Sequence, residues 1–293
     1  MMHSKKSNKT PPHSWSFDAL GTSWSIETAK ELSNDMRELI SQRIELYDKT
    51  YSRFREDSLA RQLRIPGTYE FPSDSSELFD TYQKLYDITH GRMTPLIGSM
   101  LEDVGYDEKY SLQPKSAVRS IPSFEALGWD GNTTVTIAEP IVLDVGAAGK
   151  GHLVDIIAKI LESFDVDTYT IDASGDIKQR GEPQVIGLEH PLDSSKIVGT
   201  ATLQNQSLCA SAINRRAWQG MHHVFDPLTK QPTKSMLATW AIADTTLVAD
   251  ALATALFFTP ANELLEHYDF TYVTIDVNGA IDVSPGFKGE LYT

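Results

Sequence analysis

The stretch TTLVADALATALFF, residues Thr245 to Phe258, restricts the fold more than any other, because a helix this apolar has to be buried and it takes one carboxylate with it. Val248, Ala249, Ala251, Leu252, Ala255 and Leu256 leave little of its surface suited to water. Asp250 and Thr254 stand one turn apart and project in one direction. A buried carboxylate is costly unless a charge or a set of hydrogen bonds compensates it, and a hard cation would satisfy both oxygens. The alternative is structural: Asp250 caps a neighbouring loop and Thr254 bonds back to its own helix. The helix alone leaves both open.

With 293 residues and 41% hydrophobic side chains the chain can bury a substantial core. A formal net charge of −14 argues against binding nucleic acid or an anionic membrane surface, since both draw their affinity from basic surface. An anionic ligand would therefore need a metal ion or a nest of backbone N–H groups. The single cysteine, Cys209, excludes an internal disulfide and a cysteine-based zinc site, and fits a reducing compartment. Residues 1–14 are polar, with Lys5, Lys6, Lys9 and Pro11-Pro12, and read as a disordered leader without the apolar core of a secretion signal. No run approaches the ~20 apolar residues of a membrane span. A cytoplasmic protein without a membrane anchor is the expectation.

From residue 15 onward the spacing predicts a strand over Ser16–Thr28 broken at Gly21, an amphipathic helix over Leu32–Tyr51 and a second over Asp74–Thr89. The runs TVTI and PIVLDV, the latter Pro140–Val145, read as strands, and a helix follows at residues 152–163. Further strands fall at Asp167–Ile171, Gln184–Leu188, Ile197–Leu208 and Trp240–Ala243. Asn278-Gly279 between β-rich runs predicts a hairpin with a two-residue type I′ turn. Strands outnumber helices and often follow one another directly. The expected fold is thus one mixed α+β unit, residues 15–293, with antiparallel-rich sheets, rather than a doubly wound parallel fold.

Three further segments could carry chemistry. LDVGAAGKGHL, Leu143 to Leu153, joins a strand to a helix through Gly146, Gly149 and Gly151, so that backbone N–H groups, Lys150 and a helix N-terminus could hold a phosphate. Its spacing matches neither a P-loop nor the dinucleotide fingerprint. A tight turn with a solvated lysine is the equal alternative. IDASGDI, Ile171 to Ile177, sets Asp176 after a glycine turn, where acidic residues often bond their own backbone. HHVFDPLTKQP, His222 to Pro232, places His223 three residues before Asp226, and a histidine there can move protons or be structural.

Taken together, the order and spacing of these pieces resemble the ApbE family of FAD:protein FMN transferases. The resemblance spans nearly the whole chain. It rests on FDALGTSWSI with its Leu20-Gly21-Thr22 step, SRFREDS at Ser52–Ser58, DVGAAGKGH at Asp144–His152, DASGDI, Ala210-Ser211-Ala212, HVFDPLTK and ADTTLVADALAT. The chain departs from the family pattern at Thr94, Ser174, Ala210, Ala212 and Asp244, which touches the flavin pocket more than the metal pair.

The resemblance implies a magnesium ion held by Asp250, Thr254 and the carbonyl of Gly149. It places Lys150, Asp176, Ser211, His223 and Asp226 around FAD, with Phe54 stacked on the isoalloxazine. It implies a transferase that splits FAD, attaches FMN through a phosphoester to a Thr or Ser of an acceptor protein and releases AMP, with His223 or a neighbouring carboxylate such as Asp226 taking the hydroxyl proton. The alternatives are an FAD pyrophosphatase giving FMN and AMP, and a protein that binds FAD without turnover.

Overall fold

Eight strands pair strictly in sequence order to make the central sheet. In the computed structural model, which describes residues 13–214, 217, 218 and 220–292, these are β1 (His13–Ala19), β2 (Thr22–Thr28), β3 (Tyr169–Asp172), β4 (Asp176–Arg180), β5 (Ser207–Ala212), β6 (Met236–Ala243), β7 (Thr271–Asp276) and β8 (Ile281–Val283). Every neighbouring pair is antiparallel. The helices enter as insertions: α1 (Asn34–Tyr51) and α2 (Ser75–Ile88), then α3 (Gly149–Ser163), and α4 (Thr246–Ala255) between β6 and β7. The fold is α+β with an antiparallel sheet, as the directly consecutive strands require.

Alternation along the strands gives each face of the sheet its own core. Cys209, Ala241 and Ala243 face the helices, where Leu153, Ile157, Ala249 and Leu252 close the larger core. Leu208, Trp240 and Ile242 face the other way, against a three-stranded sheet of Gln184–His190, Asp193–Leu203 and Gly289–Leu291. Leu188, Ala201 and Leu203 of that sheet are fully buried there. A satellite cluster of Met100, Leu101, Val104, Tyr106, Trp218 and Phe225 lies beneath the loop that follows Asp103.

Several elements differ from the sequence expectations. PIVLDV is not a strand: its backbone is pinned outside any ladder, with Ile141 N–H on the Leu63 carbonyl and Asp144 N–H on that of Pro95, so its apolar residues are buried by loops. The run Ile197–Leu208 splits at Asn205, whose φ of +55° turns the chain from one sheet into the other. The hairpin over Asn278-Gly279 forms, but only Gly279 is left-handed, and Asp276 N–H bonds the Ala280 carbonyl around a three-residue loop. That is the bulged alternative to the type I′ turn. Residues 1–12, most of the expected leader, lie outside the described residues, while His13 and Ser14 already pair in β1. Among the described residues no helix is long and apolar enough to cross a membrane.

Candidate functional site

Two tight hairpins and the α3–α4 pair converge on one cavity of about 360 Å³. Leu20-Gly21 turns β1 into β2 and Ser174-Gly175 turns β3 into β4, all four residues at positive φ. Ser174 Oγ donates to the Ser23 carbonyl at 2.8 Å, so the two hairpin tips are tied together at the cavity wall. Ser174 adopts a left-handed conformation that glycine takes at no steric cost, and this hydrogen bond offsets the difference.

Helix α3 starts where the glycine loop ends, and its contact with α4 explains the glycine at position 151. A Cβ there would lie 2.2 Å from the Thr246 carbonyl oxygen and 2.7 Å from the Asp250 Cβ. The close approach lets Gly151 N–H donate to Asp250 Oδ2 at 2.9 Å. Asp250 is buried at 6% exposure and still lines the cavity. Thr254 does not bond back to its own helix; its Oγ1 lies 3.5 Å from the Ala147 carbonyl oxygen and 3.3 Å from Ser211 Oγ. Neither structural alternative for this pair holds as stated: Asp250 accepts from an amide in the first turn of α3, and Thr254 turns to the facing loop.

Lys150 projects into the same cavity with Nζ 2.5 Å from Asp176 Oδ2 and 3.3 Å from the Ala173 carbonyl. Burial works against its charge, but the carboxylates of Asp176 and Asp250 outweigh it and hold the ammonium above its ordinary pKa. Asp176 is buried behind the lysine and does not line the cavity. At the loop's start, Arg53 pairs with Asp144 Oδ2 at 2.5 Å and donates to the Tyr106 carbonyl at 2.8 Å, while Asp144 Oδ1 accepts from Gly146 N–H. The buried arginine thus ties the glycine loop to the Tyr106 segment of the cavity lining.

His222 closes a two-residue strand and His223 follows it in a bend, and the two rings meet different surroundings. His222 is buried with Nε2 2.9 Å from the Thr233 carbonyl, and burial keeps its pKa below the ordinary value. His223 lines the cavity, as do Ser211 and Thr254.

Besides Asp176, three sequence-derived positions fall outside the cavity lining. Phe54 is outside the cavity lining, stacked on Tyr110 at 5.2 Å with the Arg53 guanidinium 4.1 Å from its ring centre. Tyr106, Phe225 and Phe258 do line the cavity, and Tyr106 lies edge-on to Phe54 and stacked on Trp218. Asp226 caps its own turn, accepting from Leu228 N–H at 2.8 Å, and lies with Arg92 in an adjoining cavity. The Gly149 carbonyl accepts from Tyr47 Oη at 2.9 Å on the α1 side, and the carbonyl beside Thr254 is that of Ala147. Arg92 and Tyr106 carry no sequence signal that separates them from ordinary loop residues, whereas Ala147 lies within the glycine loop that the sequence singles out. Arg92 lines both cavities and contacts Asp226 at 3.4 Å.

The oxygens of Asp250, Thr254 and the Ala147 carbonyl suit a hard cation such as magnesium, which takes oxygen ligands and few protein carboxylates. Among the described residues no three His, Cys, Asp or Glu side chains converge on one point. A cation here would draw its remaining ligands from water or from a phosphate near Lys150.

Comparison with known proteins follows the same features. The ApbE family model matches residues 20–274. An FAD:protein FMN transferase of Haemophilus influenzae is 22% identical over 267 residues, covering 83% of this chain and 77% of that protein. One from Vibrio cholerae is 23% identical over 261 residues, covering 81% and 78%. Among solved structures, the flavin transferase ApbE from Vibrio cholerae superposes with a TM-score of 0.76 at 18% identity, covering 95% of this chain and 98% of that one. The ApbE protein from Thermotoga maritima gives 0.76 at 23% identity, covering 93% and 97%. At these identities the superpositions speak for a shared fold.

Proposed function

Because the chain belongs to the ApbE family, we propose that it is a magnesium-dependent FAD:protein FMN transferase, residues 15–293 forming the one catalytic domain. The observation that carries this reading is the meeting of the Asp250, Thr254 and Ala147 oxygens with the Lys150 ammonium in a single cavity. The ion would be held by those three oxygens, with Ala147 in place of Gly149. Bound there, magnesium would neutralise the pyrophosphate and the charge that develops as the anhydride breaks.

The chain's own residues account for the rest. Lys150, kept charged by Asp176, holds phosphate oxygens. Ser174 and Ser23 fix the hairpin wall, and Tyr106 offers the aromatic face for the flavin ring in place of Phe54. His223 takes the proton of the acceptor Thr or Ser hydroxyl. The hydroxyl oxygen bonds to the FMN-side phosphorus, the P–O bond of the anhydride breaks, and AMP leaves with the electron pair. Asp226 caps its own turn through Oδ1 and stands beside Arg92, so in this reading His223 rather than Asp226 is the base.

The test is incubation with FAD and magnesium, with and without acceptor proteins bearing Thr or Ser, followed by separation of AMP, FMN and flavinylated protein. Covalent flavin that disappears in Asp250→Asn and in excess chelator supports the reading. His223→Ala should lower flavinylation well before it lowers FAD affinity. FMN and AMP formed without acceptor, and no covalent flavin with it, would replace the transferase by a pyrophosphatase.

A further inference from the structure

Outside the cavity, two turns along α3 from the glycine loop, Asp155 is buried at 7% exposure with four donors on its carboxylate. Oδ1 accepts from Thr246 N–H at 3.0 Å, Thr246 Oγ1 at 3.0 Å and Lys178 Nζ at 2.9 Å, and Oδ2 from Leu247 N–H at 2.8 Å. Thr246 and Leu247 open α4, whose third amide, Val248 N–H, goes to the Thr245 side chain. Two of the orphan amides at this helix start are thus satisfied by a carboxylate of another helix. Lys178 also donates to the Asp244 carbonyl at 3.3 Å, so the same pair grips the turn that enters α4.

The contact repeats along the helices. Asp155 meets Thr246, Gly151 meets Asp250 and Ala147 faces Thr254. Each step is four residues forward on one segment and four back on the other, as two antiparallel helical stripes in register demand. The first rung lies about 12 Å along α4 from the last, at ~1.5 Å per residue over eight residues. Rotation or sliding of α4 at its first turn therefore moves Thr254 relative to the Ala147 carbonyl. We infer that Asp155 is a positioning residue for the cation site: its grip on the first turn of α4 sets the register that brings Asp250 and Thr254 onto the glycine loop. This rests on the cation reading proposed above.

The probe is Mn2+, titrated into the full chain without FAD and followed by the electron paramagnetic resonance signal of the free ion, so the readout is affinity rather than turnover. Wild type is expected to bind one Mn2+ that Asp250→Asn loses. Asp155→Asn, which keeps the shape but sets an NH2 against donors, should weaken that binding by about ten-fold, the scale of supporting-residue effects on metal sites. Hydrogen exchange at the first turn of α4 and at Gly151 should speed up in the same variant. Leu188→Ala, which opens the core on the opposite face of the sheet, controls for general loss of stability and should leave Mn2+ affinity within about two-fold. Should Asp155→Asn not fold, Thr246→Val removes the hydroxyl that Asp155 shares with Ser207 Oγ at 2.9 Å and should still weaken binding, with Thr246→Ser restoring it. Wild-type affinity in Asp155→Asn, or an equal loss in Leu188→Ala, overturns the inference while leaving the cation site standing. Absence of any Asp250-dependent Mn2+ binding in wild type overturns both.

Discussion

Replacing Gly151 by alanine tests the α3–α4 contact with a single added methyl group. Its Cβ would stand 2.2 Å from the Thr246 carbonyl oxygen, against the ~3.3 Å at which such atoms normally rest, so the helices must part by about 1.1 Å. The 2.9 Å bond from Gly151 N–H to Asp250 would then stretch toward about 4 Å and fail. Losing a hydrogen bond to a charged group costs about 1.5–3 kcal/mol and overpacking about 1–3 kcal/mol, less about 1 kcal/mol regained because alanine suits a helix better than glycine. The net is a destabilisation of about 2–5 kcal/mol, a fall in Tm of roughly 4–10 °C for a domain of this size. Thermal unfolding by circular dichroism measures that, and AMP release from FAD in the same preparation should fall at least ten-fold as the pair Asp250 and Thr254 moves off the loop. A variant that melts within a degree of wild type and releases AMP at the wild-type rate would refute the contact as the determinant of the site.

Lys150→Ala should weaken FAD binding more than riboflavin binding, measured by fluorescence titration, because only FAD carries the pyrophosphate; glutamine at this position should not restore it, lacking the charge. Equal losses for both ligands would move the lysine away from the phosphates. Asp103, buried against Lys115 and Arg119, is pushed up by burial, yet its bonds to Arg119 and Lys115 outweigh this and hold its pKa at about 2. Its folded value lies below the unfolded one, so the stability it contributes is complete above about pH 4 and lost as pH falls through about 2. With half-exposed partners that contribution is about 1–2 kcal/mol, and urea midpoints of Asp103→Asn should fall below wild type at pH 7 and converge with it near pH 2. Ser174→Gly relieves a left-handed serine but cuts the hairpin tie to Ser23, so its Tm should stay within about 3 °C of wild type while FAD binding weakens.

What the sequence determined by itself is what local chemistry decides. The apolar helix around Asp250 and Thr254, the glycine loop that starts α3, and the turns at Gly21 and Gly175 all follow from spacing, propensity and φ, and directly consecutive strands demand an antiparallel sheet. Tertiary structure decided everything that depends on which backbone groups meet across the fold. Residue identity does not encode where a carbonyl points: the Ala147 oxygen faces Thr254, while that of Gly149, already in α3, accepts from Tyr47 of α1. Phe54 lies behind Tyr106 because a loop some fifty residues later folds across it, and Asp226 is spent on its own turn. PIVLDV has the composition of a strand yet finds its partners in Leu63 and Pro95, since a strand exists only where a neighbour offers a ladder. The carboxylate of Asp155 has no meaning until α4 is laid antiparallel on α3, when it becomes the cap of a helix ninety residues away.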